Sequence, residues 1–502
     1  MSIKNAFELM QERLVDIQNL GMAAAVLGWD MEVCMPPKGA KARGRQLATL
    51  SALTHKMFTD EATGNLIQSA QESLDTLDAD QQALLHEVVY QYDRAVRIPE
   101  SFTRRFSVAR SDAYHAWVEA RRQSDFPLFQ PHLETLVSLA REESEYLGYE
   151  DSPYDALLEN YERGMTAAQL RAIFDEVAPF QHALVTRIMD APNQPDLVWL
   201  QQKWPTDKQW AFTEQVLRDM GYDFEAGRQD KSAHPFTTNF SIGDVRITTR
   251  LDEKDLFSAL FSSIHEGGHA LYEQGLPEEY EGTVLAEAPS LGIHESQSRM
   301  WENIIGRSLP FWQHYMPLLR ETFPGQLDNV SAEQVYAAAN RVSPSLIRVE
   351  ADECTYNLHV ILRFELETAL LEGRLKAADV PAAWNEKMTQ WLGVQVPDDA
   401  QGCLQDIHWS HGSFGYFPTY ALGNLYAAQL FDAIRDAIPG IMEQVSRGEF
   451  APLLAWLRQQ VHTVGKRKTT LEIVRDATGK DASATSFMNY LETKYTALYG
   501  LR

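Results

Sequence analysis

Cysteines and basic residues are scarce in this chain of 502 residues. There are three cysteines, Cys34, Cys354 and Cys403, and no CxxC pair. Such a sparse, odd set predicts reduced thiols rather than a disulfide framework. Lys and Arg together number 45 against 70 Asp and Glu, so the formal net charge is −25. Because phosphate binding needs clustered cations, this balance argues against a nucleic acid as partner.

Long apolar runs are also lacking. No stretch of 18 apolar residues occurs, which argues against a membrane span. The first residues, MSIKNAFELMQERL, are charged and amphipathic and have no apolar segment of the kind found in signal peptides. These features predict a cytoplasmic protein.

Helical periodicity dominates the sequence and predicts a mainly α fold. Three helix starts carry the capping-box pattern, namely Thr166 with Gln169, Thr206 with Gln209, and Ser331 with Gln334. Only FTTNFSIGDVRITTRL, with β-branched residues on both sides of a turn at residues 241–244, predicts a β-hairpin. With no repeat or flexible linker, residues 1–502 are expected to form one catalytic unit, with two helical halves around a groove.

The motif HEGGH, His265 to His269, indicates a metal site. Asp252 is expected to cap a helix from about residue 253 to 274, which Gly275 would end in a left-handed conformation. On this helix His265 and His269 lie one turn apart, so both imidazoles can reach one Zn²⁺. Glu266 lies beside them, where a general base of zinc hydrolases is placed.

The double glycine of this motif supports a functional reading over a chance match on a solvated helix. Each glycine inside a helix costs about 0.8–1.0 kcal/mol relative to alanine. We therefore expect Gly267 and Gly268 to allow close approach of another backbone or of a substrate. A catalytic site also needs a third ligand. Glu295, 26 residues after His269, is favoured by spacing, but Glu287, His294 and Glu302 remain alternatives.

Two further segments carry polar groups in apolar surroundings. Residues 345–367 are predicted to form one helix with a polar line of Arg348, Asp352, Thr355 and His359. In this line Arg348 either pairs with Asp352 or extends into a cleft to hold a carboxylate. The aromatic segment around residues 402–423 is either a core plug or a pocket wall. Its histidines and tyrosines, in particular His408, Tyr416 and Tyr420, are candidates to stabilise an oxyanion.

Several motifs in register resemble the M32 metallocarboxypeptidases, the carboxypeptidase Taq type. The resemblance extends from about residue 20 to the end of the chain. Its motifs are HPF (234–236), DVRIT (244–248), HEGGH (265–269), HESQ (294–297), IRVEAD (347–352) and GCLQDIHW (402–409).

The resemblance implies a two-lobed helical fold similar to neurolysin and angiotensin-converting enzyme, with a deep groove and a small sheet next to the HExxH helix. It implies release of single C-terminal residues from peptides with broad specificity and poor release of proline. A homodimer is implied, as is a divalent metal, normally Zn²⁺, for which Co²⁺ can substitute.

The resemblance also assigns residues. It implies that Glu295 is the third metal ligand, that Arg348 anchors the substrate carboxylate, and that His408 and Tyr420 stabilise the oxyanion. His234 is a substrate-binding candidate, with structural support as the alternative. Where thermolysin-like enzymes have an Asp four residues after the ligand Glu, this chain has Arg299, so the partners of the ligand histidines are not identified.

Two other functions are compatible with these residues. An endo-oligopeptidase on the same scaffold would cleave internally and accept an amidated C-terminus. A peptide-binding protein with structural zinc would need no general base, so the presence of Glu266 argues against it.

Overall fold

The computed structural model describes residues 5–501, so both ends of the expected 1–502 unit lie outside it. Helices dominate this part of the chain, which confirms the prediction of a mainly α fold. None of the helices in residues 5–501 combines the length and apolar character needed to cross a bilayer.

The α-helices are numbered in chain order. They are α1 (Ala6–Val33), α2 (Ala40–Thr59), α3 (Glu61–Gln71), α4 (Ala79–Arg97), α5 (Glu100–Gln123), α6 (Phe126–Leu147), α7 (Pro153–Leu158), α8 (Ala167–Met189), α9 (Thr206–Met220), α10 (Leu256–Glu273), α11 (Leu291–Arg299), α12 (Leu309–Thr322), α13 (Ala332–Ala339), α14 (Tyr356–Leu371), α15 (Val380–Leu392), α16 (Pro418–Ala437), α17 (Ile441–Val445), α18 (Ala451–Gln460), α19 (Thr470–Thr478) and α20 (Thr485–Tyr499).

A small sheet lies beside α10. Its strands are β1 (Gly227–Lys231), β2 (Thr237–Ser241) and β3 (Asp244–Thr249), in the order β1-β3-β2. The antiparallel pairing of β2 with β3 confirms the predicted hairpin. Strand β1, which pairs parallel with β3, was not predicted, because its sequence GRQDK has none of the β-branched or aromatic residues that favour strands.

One large hydrophobic core extends from Ala113 to Tyr499 and includes the apolar faces of α10, α11, α14 and α16. A smaller cluster lies beneath α1, α3 and α4. The metal-site motifs are therefore carried by elements of the main core.

Helix ends show where the local predictions succeeded and failed. The capping boxes at Thr166 and Ser331 are confirmed. The one at Thr206 is wrong, because Thr206 is already helical and the Gln209 side chain donates to the carbonyl oxygens of Trp204 and Asp252 instead. The Gln209 side chain therefore forms buried hydrogen bonds outside the helix instead of the predicted one to the backbone of Thr206.

The metal helix α10 is shorter than predicted. Its cap is Asp255, whose carboxylate accepts the backbone N–H groups of Phe257 and Ser258, rather than Asp252. Gly275 does not have a positive φ, so the predicted left-handed stop is wrong. A Cβ at Gly275 would lie 2.5 Å from Nδ1 of His462, so this glycine provides clearance instead.

The predicted helix over residues 345–367 is also only partly correct, since α14 begins at Tyr356. Arg348 lies on a short 3₁₀ turn, Arg348–Glu350. Asp352 accepts the backbone N–H groups of Ser343, Cys354 and Thr355, and so stabilises a turn where helix was expected. The predicted polar line on one helix face therefore does not exist.

Helix α11 lies between two helices that each present a glycine to it. A Cβ on Gly268 of α10 would lie 2.7 Å from Cα of Ser298 and 2.8 Å from the carbonyl oxygen of Gln297. In the same way, a Cβ on Gly423 of α16 would collide with Cγ of Glu295. The expected close approach of a backbone to the HEGGH motif is thus present at Gly268.

Replacing Gly268 by alanine is expected to destabilise the protein by about 1–3 kcal/mol, because the new methyl group would meet backbone that cannot rotate away. The matched control is Gly267→Ala. Its Cβ would meet side chains alone, Cδ2 of Leu217 at 2.5 Å and Cε of Met220 at 3.5 Å, and the ends of these side chains can move. Thermal unfolding followed by circular dichroism should show a lower midpoint for Gly268→Ala than for Gly267→Ala. Equal midpoints would contradict this account.

Candidate metal centre

Three potential metal ligands converge where α10 faces α11. Nε2 of His265 and Nε2 of His269 lie 3.5 Å and 3.2 Å from Oε2 of Glu295. Within residues 5–501 this is the one group of three such side chains close enough to share an ion. The structure thus brings together the three residues that the sequence analysis named. Of the alternatives to Glu295, His294 and Glu302 lie behind the two histidines, and Glu287 pairs with Lys466.

Glu302 orients the first histidine. Its Oε2 lies 2.9 Å from Nδ1 of His265. A carboxylate only accepts, so Nδ1 donates its hydrogen and Nε2 is left with a free lone pair. Glu302 is itself held by Arg299 and Arg307, at 3.3 Å and 2.9 Å. It lies on a π-helical segment, Met300–Gly306, that continues α11 without a break.

A chain of two further side chains orients the second histidine. Nε2 of His294 lies 2.7 Å from Oε1 of Glu273, to which it must donate. Nδ1 of His294 can then accept a hydrogen bond from Nδ1 of His269. As with His265, this leaves the Nε2 lone pair of His269 free. Asn239 of β2 donates to the other oxygen of Glu273 at 2.7 Å, which ties the chain to the sheet.

These hydrogen bonds show that the cluster fits a metal ion. Both Nε2 atoms and Oε2 of Glu295 are acceptors with no hydrogen between them, so a cation is needed to hold them together. Ligands at 2.0–2.1 Å from one tetrahedral ion lie roughly 3.3 Å apart, which agrees with the distances in this cluster. Two histidines and a glutamate are a donor set of catalytic zinc sites.

Arg299 is a partner of the third ligand. Its Nε lies 2.6 Å from Oε1 of Glu295, so the guanidinium holds the oxygen that faces away from the histidines. Burial alone would raise the pKa of Glu295, but the charge of Arg299 brings this pKa well below its ordinary value. The carboxylate is therefore ionised, as a metal ligand must be.

Glu266 is buried beside this cluster. The hydroxyl of Thr237, the first residue of β2, lies 2.6 Å from Oε2 of Glu266 and 3.0 Å from its carbonyl oxygen. Burial raises the pKa of the Glu266 carboxyl. A raised pKa makes the carboxylate a better proton acceptor near neutral pH. Thr237 lies in the hairpin sequence, but nothing in that sequence indicated this contact.

Arg348 is buried, with 5% of its surface exposed, and it is bound to the GCLQDIHW motif. Its Nε and Nη2 lie 3.1 Å and 2.8 Å from Oδ1 of Asp406, and its Nη1 donates to the hydroxyl of Tyr356 at 2.9 Å. Gln405 accepts the backbone N–H of Arg348 at 2.9 Å. The expected alternative, a pair with Asp352, is absent, because Asp352 binds backbone N–H groups.

Asp406 has a second cationic partner. Nε of the fully buried Arg363 lies 2.7 Å from its Oδ2. Burial acts to raise the pKa of Asp406, but Arg348 and Arg363 lower it far below its ordinary value. One carboxylate thus fixes two guanidinium groups. Of the five N–H donors of Arg348, three are engaged here, and one on each terminal nitrogen remains for another ligand.

The aromatic segment forms a wall next to this arginine. Nε2 of His408 lies 3.4 Å from the hydroxyl of Tyr420, and the rings of Tyr416 and Tyr420 meet edge-on, 5.3 Å apart. Burial lowers the pKa of His408 to about 3 and raises that of Tyr420. The imidazole is therefore neutral and the phenol protonated at neutral pH, so both can donate hydrogen bonds.

His234 is exposed on the loop between β1 and β2, and no hydrogen bond of its ring occurs in residues 5–501. Its carbonyl oxygen accepts from Ser232. The neighbouring motif residues are structural in their contacts, since Arg246 pairs with Asp244 and lies over the ring of Trp29. Within these residues the His234 ring therefore makes no hydrogen bond to the other site residues, and its role in substrate binding stays a prediction.

Replacing Glu302 by glutamine is expected to lower the metal affinity about 10–100-fold, because His265 would lose the carboxylate that fixes its orientation. Zinc affinity measured by competition with a chromogenic chelator checks this. The matched control is Glu365→Gln, which also removes a partly buried, cation-paired carboxylate, here on α14. An unchanged affinity in Glu302→Gln would refute the orienting role.

Fold and site together define a helical metal-dependent hydrolase. The chain matches the model of the family described as "Carboxypeptidase Taq (M32) metallopeptidase" over residues 9–495. It is 43% identical to "Thermostable carboxypeptidase 1" of Thermus thermophilus over 511 aligned residues, with all of both chains covered. It is 40% identical to "Carboxypeptidase 1" of Bacillus subtilis, with 99% of this chain and 98% of the relative covered.

A solved structure supports the same relationship. The crystal structure of an M32 carboxypeptidase from Deinococcus radiodurans R1 is 40% identical to this chain and superimposes with a TM-score of 0.97. The match covers 99% of this chain and 100% of that one. The chain belongs to the M32 family and is a metallocarboxypeptidase, a hydrolase that acts on peptides with the help of a divalent metal.

Proposed function

We propose that this enzyme hydrolyses the last peptide bond of peptides and releases single C-terminal amino acids, with Glu266 as the general base. The proposal rests on the hydrogen bonds of Arg348 and on the N–H groups that they leave unused. Its guanidinium is fixed by Asp406 and Tyr356 yet keeps one N–H on each terminal nitrogen. Such a pair of donors suits a free α-carboxylate, whose two oxygens accept them side by side.

His265, His269 and Glu295 would hold the metal, which when bound supplies a Lewis acid for the hydrolysis. The Glu266 carboxylate takes a proton from the attacking water and passes it to the leaving amine. Thr237 holds one oxygen of this carboxylate at 2.6 Å, which leaves the other oxygen for the proton. The chemistry of Glu266 therefore depends on a contact between α10 and the sheet.

His408 and Tyr420 would stabilise the oxyanion of the tetrahedral intermediate. Both are held as donors by burial, and their polar atoms lie 3.4 Å apart. Donors that are already oriented need no reorganisation when charge develops, so they lower the barrier more than mobile groups would. Because Asp406 and His408 belong to one short segment, the same turn positions the carboxylate anchor and an oxyanion donor.

We propose Zn²⁺ as the resident ion, with Co²⁺ as a substitute. Family resemblance supports broad specificity with slow release of proline and a homodimer, and the scarcity of cysteines supports a cytoplasmic location. We also propose that the chain works as one catalytic unit around a groove, because Glu266, Glu295, Arg348 and His408 are all carried by elements of the main core.

Mass spectrometry of products tests the proposal. Benzoyl-capped Ala-Ala-Phe-Arg, with a free or an amidated C-terminus, would be incubated with the enzyme, with and without a chelator. We expect stepwise loss of single residues from the free peptide alone, stopped by the chelator and restored by Zn²⁺ or Co²⁺. Internal cleavage of both peptides would instead indicate an endo-oligopeptidase and remove Arg348 from its proposed role. Loss of residues that no chelator affects would overturn the metal's role.

A further inference from the structure

A polar cavity lies beside the aromatic wall and plays no part in the proposed reaction. Its volume is about 250 Å³, and it lies between α5, α6, the segment after α7 and the loop that follows His408. Typical pockets for drug-sized ligands have about 300–1,000 Å³, so this cavity suits a smaller molecule. Tyr161 separates it from the aromatic wall, because its ring meets that of Tyr416 edge-on at 5.2 Å.

Two opposite charges line this cavity and attract each other without forming an ion pair. Arg110 of α5 and Glu143 of α6 both line it. Within residues 5–501 neither forms an ion pair or a hydrogen bond, although the Arg110 guanidinium lies over the ring of Phe106. Arg94, the other cation near Glu143, is engaged with Asn160 and with the carbonyl oxygen of Ala156.

The surroundings of Glu143 favour a cationic group on the ligand. It is partly buried, and this burial raises its pKa. The buried carboxylates of the metal centre and the aromatic wall all accept hydrogen bonds, as Glu302 and Asp406 do. Desolvating a carboxylate without a donor is unfavourable. A ligand with a cationic donor would therefore gain more at Glu143 than at an exposed glutamate.

The positive charge in the lining of the cavity favours an anionic group on the ligand. Arg110 offers its guanidinium donors to the cavity. His411 lines the same cavity, but burial and then the charge of Arg110 lower its pKa, so it is not a competing cation. Ser413 adds a hydroxyl to the lining. Phe106 packs so closely against Gly412 that this part of the cavity wall has no room for a side chain at residue 412. A Cβ on Gly412 would lie 2.6 Å from Cζ of Phe106.

We propose that this cavity binds a free α-amino acid as a zwitterion, with its ammonium group at Glu143 and its carboxylate at Arg110. Because both charged groups of an α-amino acid are bonded to the same carbon, one small molecule can bind both side chains and add no net charge to the cavity. The inference rests on the proposed function only in that such molecules are the products of the reaction. The cavity would then be a second place where a product binds, distinct from the metal centre.

Isothermal titration calorimetry with L-alanine tests this site. We expect binding that weakens at least tenfold in Arg110→Gln and in Glu143→Gln. The matched control is Arg104→Gln, which removes an exposed arginine from the same helix. Ethylamine lacks the carboxylate and propionate lacks the ammonium group, so each should bind at least tenfold more weakly than alanine. Circular dichroism spectra would confirm that the variants are folded.

The variant Arg348→Gln separates the cavity from the active site. Binding that persists in Arg348→Gln and is lost in the two cavity variants supports the proposal. Binding lost only in Arg348→Gln, binding unaffected by both cavity variants, or no binding at millimolar alanine would overturn it. Peptide hydrolysis measured on the same samples should be unchanged in Arg110→Gln and Glu143→Gln. An inactive wild-type enzyme would count against the proposed function, whereas the alanine titration is independent of that result.

Discussion

Replacing Glu266 by glutamine is expected to lower kcat about 10²–10⁴-fold while the metal stays bound. The amide has nearly the shape of the carboxylate but cannot take a proton from water, so the contribution of general base catalysis is lost. The three ligand side chains are untouched, and the Thr237 hydroxyl can still donate to the amide oxygen at the position of Oε2. Steady-state kinetics on a capped peptide, together with metal content by mass spectrometry, checks both halves of this expectation.

The comparison with Glu302→Gln distinguishes a base from a ligand-orienting group. Glu302→Gln should lower metal affinity, and saturating zinc should restore much of its activity. No zinc concentration should restore Glu266→Gln. An active Glu266→Gln enzyme, or one that has lost its metal, would remove Glu266 from the proposed role.

Replacing Arg348 by glutamine is expected to lower kcat/KM for peptides with a free C-terminus about a hundredfold or more. Two charge-assisted hydrogen bonds to the carboxylate would be lost, each worth about 1.5–3 kcal/mol. Slow hydrolysis of the amidated peptide should change little, so the preference for the free peptide should collapse. The ratio of the two kcat/KM values is the quantity to measure, because a general loss of activity would leave it unchanged.

The ion pairs around Arg348 limit the loss of stability in the Arg348→Gln variant, so its kinetics can be compared with those of the wild-type enzyme. Removing one partner of a buried pair often destabilises a protein by about 3–5 kcal/mol, since the other charge is left alone. Here Asp406 keeps Arg363. Tyr356→Phe provides a graded control, because it keeps the guanidinium and its pair with Asp406 and removes only the hydrogen bond from Nη1, and it should reduce the preference less than Arg348→Gln does. An unchanged preference in Arg348→Gln would show that another group reads the carboxylate.

Much of the site followed from local sequence rules. The spacing of His265 and His269 fixes their relative position on any helix, and the hairpin signal correctly placed a sheet beside it. Glu295 could not be selected from spacing alone, because its position depends on how α11 packs against α10. Resemblance to the family favoured it, and the structure brings it to the two histidines.

Prediction from the sequence failed for residues whose roles depend on tertiary contacts. Glu302 was considered only as a competing ligand, and nothing in its surroundings revealed that it lies behind His265. The helix expected around Arg348 failed because Asp352 binds backbone N–H groups that a helix would have used. Strand β1 has little intrinsic preference for its conformation and forms because β3 offers it a partner.

The two glycines that flank α11 have a consequence for the handling of the metal. Gly268 lets the backbone of α11 lie directly against α10 at Ser298, and Gly423 leaves room for the Glu295 side chain against α16. The spacing of the ligands is therefore set by close helix packing and not by the ion. In zinc fingers, by contrast, the ion supplies the folding energy and its removal unfolds the domain. Extraction and reloading of the ion should thus be a reversible exchange at a rigid template, with no refolding step and little hysteresis.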